Sequence, residues 1–292
     1  MGKTNNTFVG KQRSQAYFTW QRLKKNKGAM MGLVFLGFLV LLMLFAGVLF
    51  DYNTLVVAQN PAQRLQAPSS AHWFGTDEGG RDILARVVHG ARYSVLISLA
   101  AVLMATVIGG FFGAVAGFYG GKLGGVIMRF MDVLLAIPST LFGLIIVAAL
   151  GASIPNLAIA VSAATIPKMA RILRSSVMTC TDAEYVEAAR ARGAKDVTIL
   201  LKHVLPNSIA PLFVQVTVSV GQTIILLSGL SFMGLGVQPP APEWGALLSN
   251  ARQYILHYGY MCIFPGLAIL LTIVSINLLG DGLRDAMDPK LK

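Results

Sequence analysis

Five stretches of the chain contain no Asp, Glu, Lys or Arg: 28–50, 93–121, 133–167, 203–242 and 253–280. A helix that crosses about 30 Å of hydrocarbon needs about 20 mostly apolar residues, so the first, second and last stretches each predict one crossing. The 133–167 stretch is too long for one helix. It is interrupted at Gly151-Ala152-Ser153-Ile154-Pro155-Asn156, a turn composition, and predicts helices near 131–150 and 156–173. The 203–242 stretch predicts one helix near 208–232, followed by a loop with Pro239, Pro240 and Pro242. The pattern predicts an all-α integral membrane protein. A basic tail over 1–28 precedes a six-helix transmembrane domain over 29–292.

Composition agrees. Of 292 residues 55% are hydrophobic and 13% charged, with a mean hydropathy of +0.65, which excludes a water-soluble domain. The formal charge of +11 comes without a basic stripe interleaved with aromatics, so it points to topology rather than nucleic acid. With the N-terminus inside, seven, two, seven and three Lys+Arg fall in 1–28, 119–132, 168–206 and 281–292. That places 19 on the cytoplasmic side against 5 outside, and the positive-inside rule selects N-in, C-in. The apolar run after the basic tail is too long for a cleavable signal, and Asn6 breaks the myristoylation pattern begun by Met1-Gly2. Cys180 and Cys262 fall on opposite sides of the membrane and predict neither a disulfide nor a metal site.

Within the helices, Gly109, Gly113, Gly117 and Gly121 recur every four residues, a spacing that lets another backbone approach closely. Gln215, Ser219 and Gln222 share one face of the fifth helix, with Thr272 and Ser275 on the sixth; these are candidates for a translocation path or for helix-to-helix hydrogen bonds. No ionisable residue lies deep within a span on this reading, which counts against an ion-coupled carrier or a charge-ringed channel. Gly-x-x-x-x-Gly-Lys-[Ser/Thr] is absent. His72, His89, His203 and His257 lack metal-ligand spacing, and no nucleophile–base pair is visible, so no enzyme activity, resident cofactor or metal is expected.

The longest cytoplasmic connection, about 172–206, predicts a short helix starting near Thr181 or Asp182, with Glu184 and Glu187 in its early turns and Gly193 as its stop. A second amphipathic stretch ends at Pro206. Small residues Ala188, Ala189 and Ala191 suit a helix that docks in a partner's groove; a helix lying on the membrane surface is the alternative. On the outer side, Ile83, Leu84, Val87, Val88 and Ala91 face away from Arg81, Asp82, Arg86 and His89, predicting an interfacial helix. Trp244, followed by Leu247 and Leu248, predicts a second outer element.

Glu187-Ala188-Ala189, then Gly193 after three intervening residues, then Ile199 and Leu205-Pro206, resembles the "EAA" signature of permease subunits of binding-protein-dependent ABC importers. The resemblance implies that this segment is a coupling helix. Tyr185, Glu187, Ala188, Ala189, Arg190 and Gly193 would then lie at the contact with an ATP-binding subunit, where ATP and Mg are held. Three further segments resemble the "C"-type permease of the dipeptide, oligopeptide, glutathione and nickel importers. These are His72–Asp77 with Gly80-Arg81-Asp82 and Gly90-Ala91-Arg92; Leu230–Gly236 running to Pro242-Glu243-Trp244-Gly245; and Asn277–Asp285 with Asp288-Pro289. The likeness covers about residue 20 to 292 and implies a type I (MetI-like) permease fold in a bacterial cytoplasmic membrane. The implied partners are a homologous permease, two ATP-binding subunits and an external substrate-binding protein. That binding protein would dock near Arg81, Asp82, Glu243 and Trp244. Peptide is the expected cargo, with nickel, a metal chelate or glutathione as alternatives. An ion-driven carrier and a non-transporting scaffold are the alternatives from other classes.

Overall fold

In the computed structural model the described residues are 15–287, and they are overwhelmingly helical. In chain order the helices are α1 (Gln15–Lys25), α2 (Lys27–Leu49), α3 (Ile83–Tyr119), α4 (Gly121–Ala136), α5 (Ser139–Leu150), α6 (Ile154–Thr181), α7 (Glu184–Ala191), α8 (Asp196–Ile199), α9 (Leu205–Ser208), α10 (Ala210–Leu230), α11 (Trp244–Ala251) and α12 (Tyr260–Met287). Wide helical turns over Leu200–Val204 and Ser231–Leu235 join α8 to α9 and extend α10. Asp288 and Pro289 lie outside the described residues, as does the start of the basic tail.

Four helices (α2, α3, α12, and α10 with its extension to Leu235) are long and apolar enough to cross a membrane. A fifth candidate is α4 with α5, which meet at 90° instead of forming the single helix expected over 131–150. Pro138 is the cause. A residue before proline is driven out of the α region, and Ile137 is extended at φ −85°, ψ 126°. The turn at 151–156 is as expected: Gly151 takes φ +86°, and Ser153 Oγ accepts the Asn156 N–H. α6 does not end near 173. It runs 28 residues to Thr181 and carries Lys168, Arg171 and Arg174 in its lower half. α7 accordingly starts at Glu184, with Ala183 rather than Thr181 or Asp182 at its N-cap.

The centre of the bundle is the contact of α3 with α6. A Cβ on Gly109 would lie 2.5 Å from the Ile166 carbonyl oxygen, on Gly113 2.4 Å from that of Ala170, and on Gly117 2.8 Å from that of Arg174. The glycine row lets the α3 backbone rest on a row of α6 carbonyls, also spaced by four. Gly121 does not join the row. The chain turns at Gly120 (φ +57°) and Gly121 opens α4, where Gly124 packs on the Ala116 carbonyl instead. α2 rests on α12 in the same way, through Gly32 against the Ser275 carbonyl. The outward face of α2, with Val34, Phe38, Leu41, Phe45 and Val48, is exposed, as a lipid-facing helix requires.

Gly113→Ala is therefore expected to destabilise the bundle by about 1–3 kcal/mol, because the added methyl meets backbone that cannot move aside. Gly47→Ala, where nothing lies within 4 Å, should be neutral. Melting temperatures of the two purified variants in detergent check the pair.

Candidate functional site

The 172–206 connection, with its Glu187-Ala188-Ala189…Gly193 signature, lies at the cytoplasmic end of the bundle. α7 is amphipathic at one-turn scale: Val186 and Ala189 are fully buried and pack with Val177 of α6, Ile199, Val204 and Leu212. Tyr185, Glu187, Ala188 and Arg190 stay on the exposed side. Of the six residues expected at the partner contact, Ala189 is thus turned inward and serves as the pivot that seats the helix. Tyr185, Glu187, Ala188, Arg190 and Gly193 are presented to solvent. The Glu187 side chain makes no hydrogen bond or ion pair with any described residue. The Arg190 guanidinium lies over the Phe118 ring at 5.9 Å, which ties α7 to the end of α3. Loss of hydration at the Tyr185 hydroxyl, with Cys180 beside it, raises it above the usual tyrosine range.

Gly193 closes α7 with both bonds of a Schellman motif. Its N–H donates to the Arg190 carbonyl at 2.9 Å, and the Ala194 N–H donates to the Ala189 carbonyl at 3.2 Å. The motif needs a left-handed residue, and Gly193 has φ +77°. Nothing lies within 4 Å of a Cβ there, so backbone conformation, not crowding, calls for glycine.

The polar residues expected along a path separate into two groups. Thr272 and Ser275 are buried in α12, with Thr272 Oγ1 donating to the Ala268 carbonyl and Ser275 under α2. They belong to helix packing. On α10, Gln215 donates to Ser219 Oγ at 2.8 Å, and Gln222 is exposed. Gln222 accepts from Lys168 Nζ of α6 at 2.7 Å, and one turn below Lys168 the Arg171 guanidinium pairs with Asp132 of α4 at 2.7 Å. Lys168 is thus an ionisable residue at the middle of α6, where it meets α10. The charge count groups it with the cytoplasmic segment 168–206, although the helix expected over 156–173 already contains it. Among the described residues no three His, Cys, Asp or Glu side chains gather as a metal site.

Residues 109–292 match the family described as binding-protein-dependent transport system inner membrane component, and residues 14–68 match the N-terminal TM domain of oligopeptide transport permease C. The chain belongs to this permease family. It is 43% identical to the dipeptide transport system permease protein DppC of Alkalihalophilus pseudofirmus, covering 94% of this chain and 89% of that one. It is 44% identical to the di/tripeptide transport system permease protein DppC of Pseudomonas aeruginosa (94% and 91%). It is 42% identical to the glutathione transport system permease protein GsiD of Pectobacterium atrosepticum (94% and 90%). Among solved structures, inward-facing conformations of the MetNI methionine ABC transporter share the fold at a TM-score of 0.58, with 17% identity over 70% of this chain and 98% of that one. The protein is a multi-pass inner-membrane permease subunit of the ABC importer class with a MetI-like fold.

The outer end of the permease is a sealed cap. α3 does not begin with a separate interfacial helix. It is continuous over 37 residues, about 55 Å, so its first turns stand beyond the hydrocarbon. Both faces of those turns are buried, including Arg86 and His89. Asp77 accepts from Arg81 Nε at 2.8 Å and also from Arg86, while Arg81 reaches Glu78 at 2.8 Å. Asp82 caps α3 through the Ala85 N–H at 2.9 Å and bonds His72 Nδ1 at 2.8 Å. His89 Nε2 meets the Phe50 carbonyl at 2.9 Å, so the charged face holds the loop over 50–82 instead of facing water. On the opposite side Trp244 is fully buried. Its indole N–H donates to the Val87 carbonyl at 2.9 Å, and its ring lies against Gly90, where a Cβ would come within 2.9 Å. Glu243, also fully buried, caps α11 through the Ala246 N–H and accepts from Ser94 Oγ, both at 2.9 Å. Arg81, Asp82, Glu243 and Trp244 thus build the cap from within, and its outer surface is made by other side chains.

Removing the shared carboxylate in Asp77→Ala should leave the buried Arg86 without its partner, Arg81 keeping only Glu78, and cost about 3–5 kcal/mol. Faster proteolysis of the 50–82 loop in right-side-out membrane vesicles is the expected readout.

Proposed function

We propose that this chain is one of two permeases of an ATP-driven importer of di- and oligopeptides, and that it transmits ATP-driven motion through α7. The observation that carries the reading is the seating of α7. Its inner side is anchored at Val186 and Ala189, its outer side offers Tyr185, Glu187, Ala188 and Arg190, and Gly193 fixes the exit of the chain. A helix held this way moves as a unit with whatever grips its exposed side. In this reading α6 is the fourth of six crossings, and both termini lie in the cytoplasm.

ATP and Mg would be held by two partner ATP-binding subunits, and this chain would bind no cofactor of its own. Closure of those subunits would push α7, and through the α6–α3 contact switch the bundle between inward-open and outward-open states. An external binding protein would deliver cargo onto the cap, and cargo would pass between this permease and its homologous partner. The peptide assignment is supported by relatives named for dipeptide, di/tripeptide and glutathione transport, the last itself a peptide.

Glu187→Arg reverses a charge on the exposed side of α7 without touching its buried pivot. In a strain lacking the native copy it should reach wild-type membrane levels yet lower uptake by about tenfold or more, and recover less of the ATP-binding subunit on co-purification. Labelled dipeptide, glutathione and nickel would be compared in the same cells. Peptide uptake restored by wild type alone supports both parts of the reading. Nickel uptake alone removes the peptide assignment, and equal uptake by the variant removes the coupling role.

A further inference from the structure

Lys168 carries a charge to a depth where a charge needs an account. It lies 14 residues below Ile154, the outer end of α6, or about 21 Å along the axis. Its neighbours Ile166 and Ala170 rest on Gly109 and Gly113 of α3, which stand ten and six residues above Tyr119, or about 15 and 9 Å from the cytoplasmic end of that helix. Side chains of a helix lean toward its N-terminus, and for α6 that is the outer end. The lysine stem therefore carries its ammonium into the membrane, not down to the cytoplasmic surface. The Gln222 oxygen it reaches belongs to a residue 12 positions into α10, about 18 Å from the inner end of that helix and about 12 Å from the outer end.

The cation thus sits near mid-bilayer, and its hydrogen-bond partner is a neutral amide. Arg171, on the same face, is neutralised by Asp132, whereas no described carboxylate pairs with Lys168. Lys168 is half-buried and Gln222 exposed, so the pair opens on a face of the bundle that this chain leaves uncovered. Ionisable groups at such depth face a water-filled path or another protein surface, not lipid.

We propose that Lys168, oriented by Gln222, binds the C-terminal carboxylate of a peptide during its passage. Gln222 Oε1 takes one ammonium hydrogen, which leaves the other two and the Gln222 amide N–H groups to donate to the carboxylate oxygens. Every linear peptide with a free C-terminus carries this group whatever its side chains, so the contact selects a class of cargo without reading its sequence. A single cation beside a neutral amide also holds weakly enough to let the cargo leave. The inference rests on the peptide reading above.

The test uses the assembled transporter in cells lacking the native copy, with uptake of a labelled dipeptide and of the same dipeptide as its C-terminal carboxamide. Lys168→Met should lower uptake of the free acid about tenfold or more, the loss of one charge-assisted hydrogen-bonded contact, while Lys168→Arg keeps most of it. Carboxamide uptake should change less than twofold between wild type and Lys168→Met. Parallel loss of both substrates, or full free-acid uptake in Lys168→Met, overturns the proposal. Should Lys168→Met fail to assemble, Lys168→Cys in a Cys180→Ser, Cys262→Ser background gives a second measurement. A membrane-impermeant thiol reagent should label it in inverted vesicles, and dipeptide should slow the labelling. An unlabelled site overturns the proposal. No dipeptide uptake by wild type overturns the peptide reading itself, which separates the two failures.

Discussion

The bundle depends on how closely the backbones of α3 and α6 can approach. Three glycines of α3 lie over three carbonyls of α6 at the same four-residue interval. Within lipid there is no hydrophobic drive to hold helices together, so close van der Waals packing must do it, and that packing exists only where side chains are absent. Everything functional hangs from α6. Its lower end receives α7 through Val177, and its opposite face presents Lys168 and Arg171. A shift of α6 along the glycine row would move α7 and the polar face together, the linkage that the proposed transmission of motion through α7 would need.

The two ends of the molecule are built on opposite physical terms. The outer cap is closed by buried charge: Asp77 between two arginines, Glu243 between Ser94 and a helix N-terminus, and Asp82 on α3 and His72. Such groups are stable in a water-poor setting only when each finds its partners, so the cap is held in one arrangement. The cytoplasmic end is open. α7 has a small apolar underside, a glycine-set exit and an exposed side whose Glu187 carboxylate has no partner among the described residues. One end is fixed by its own buried pairs, and the other leaves polar side chains exposed, as the proposed coupling role would need.

Reading the pattern of charge and hydropathy located the long apolar helices, the 151–156 turn, the short helix ended by Gly193 and most of the glycine row, because each depends on residues near one another in sequence. It failed where a single residue acts through its position in a longer element. Pro138 bends a helix that hydropathy alone would continue. Lys168 counts with the basic cytoplasmic segment 168–206 until its bond to Gln222 is seen to hold it against α10. Arg86 and His89 look like the wet face of an interfacial helix until the 50–82 loop folds over them.

What the sequence by itself determined is the class of the protein. Charge-free runs of membrane length, an inside-positive count and a spaced Glu-Ala-Ala…Gly signature together point to a permease with an exposed coupling helix, since hydrophobic length, topology and local backbone preference are properties of contiguous residues. Tertiary structure alone decided which of the singled-out residues meet. It buried Ala189 and Trp244 as pivots, sent Thr272 and Ser275 into packing, and joined Lys168 of α6 to Gln222 of α10. Those outcomes follow from the rotation of each helix about its axis, which is set by neighbours far away in the chain.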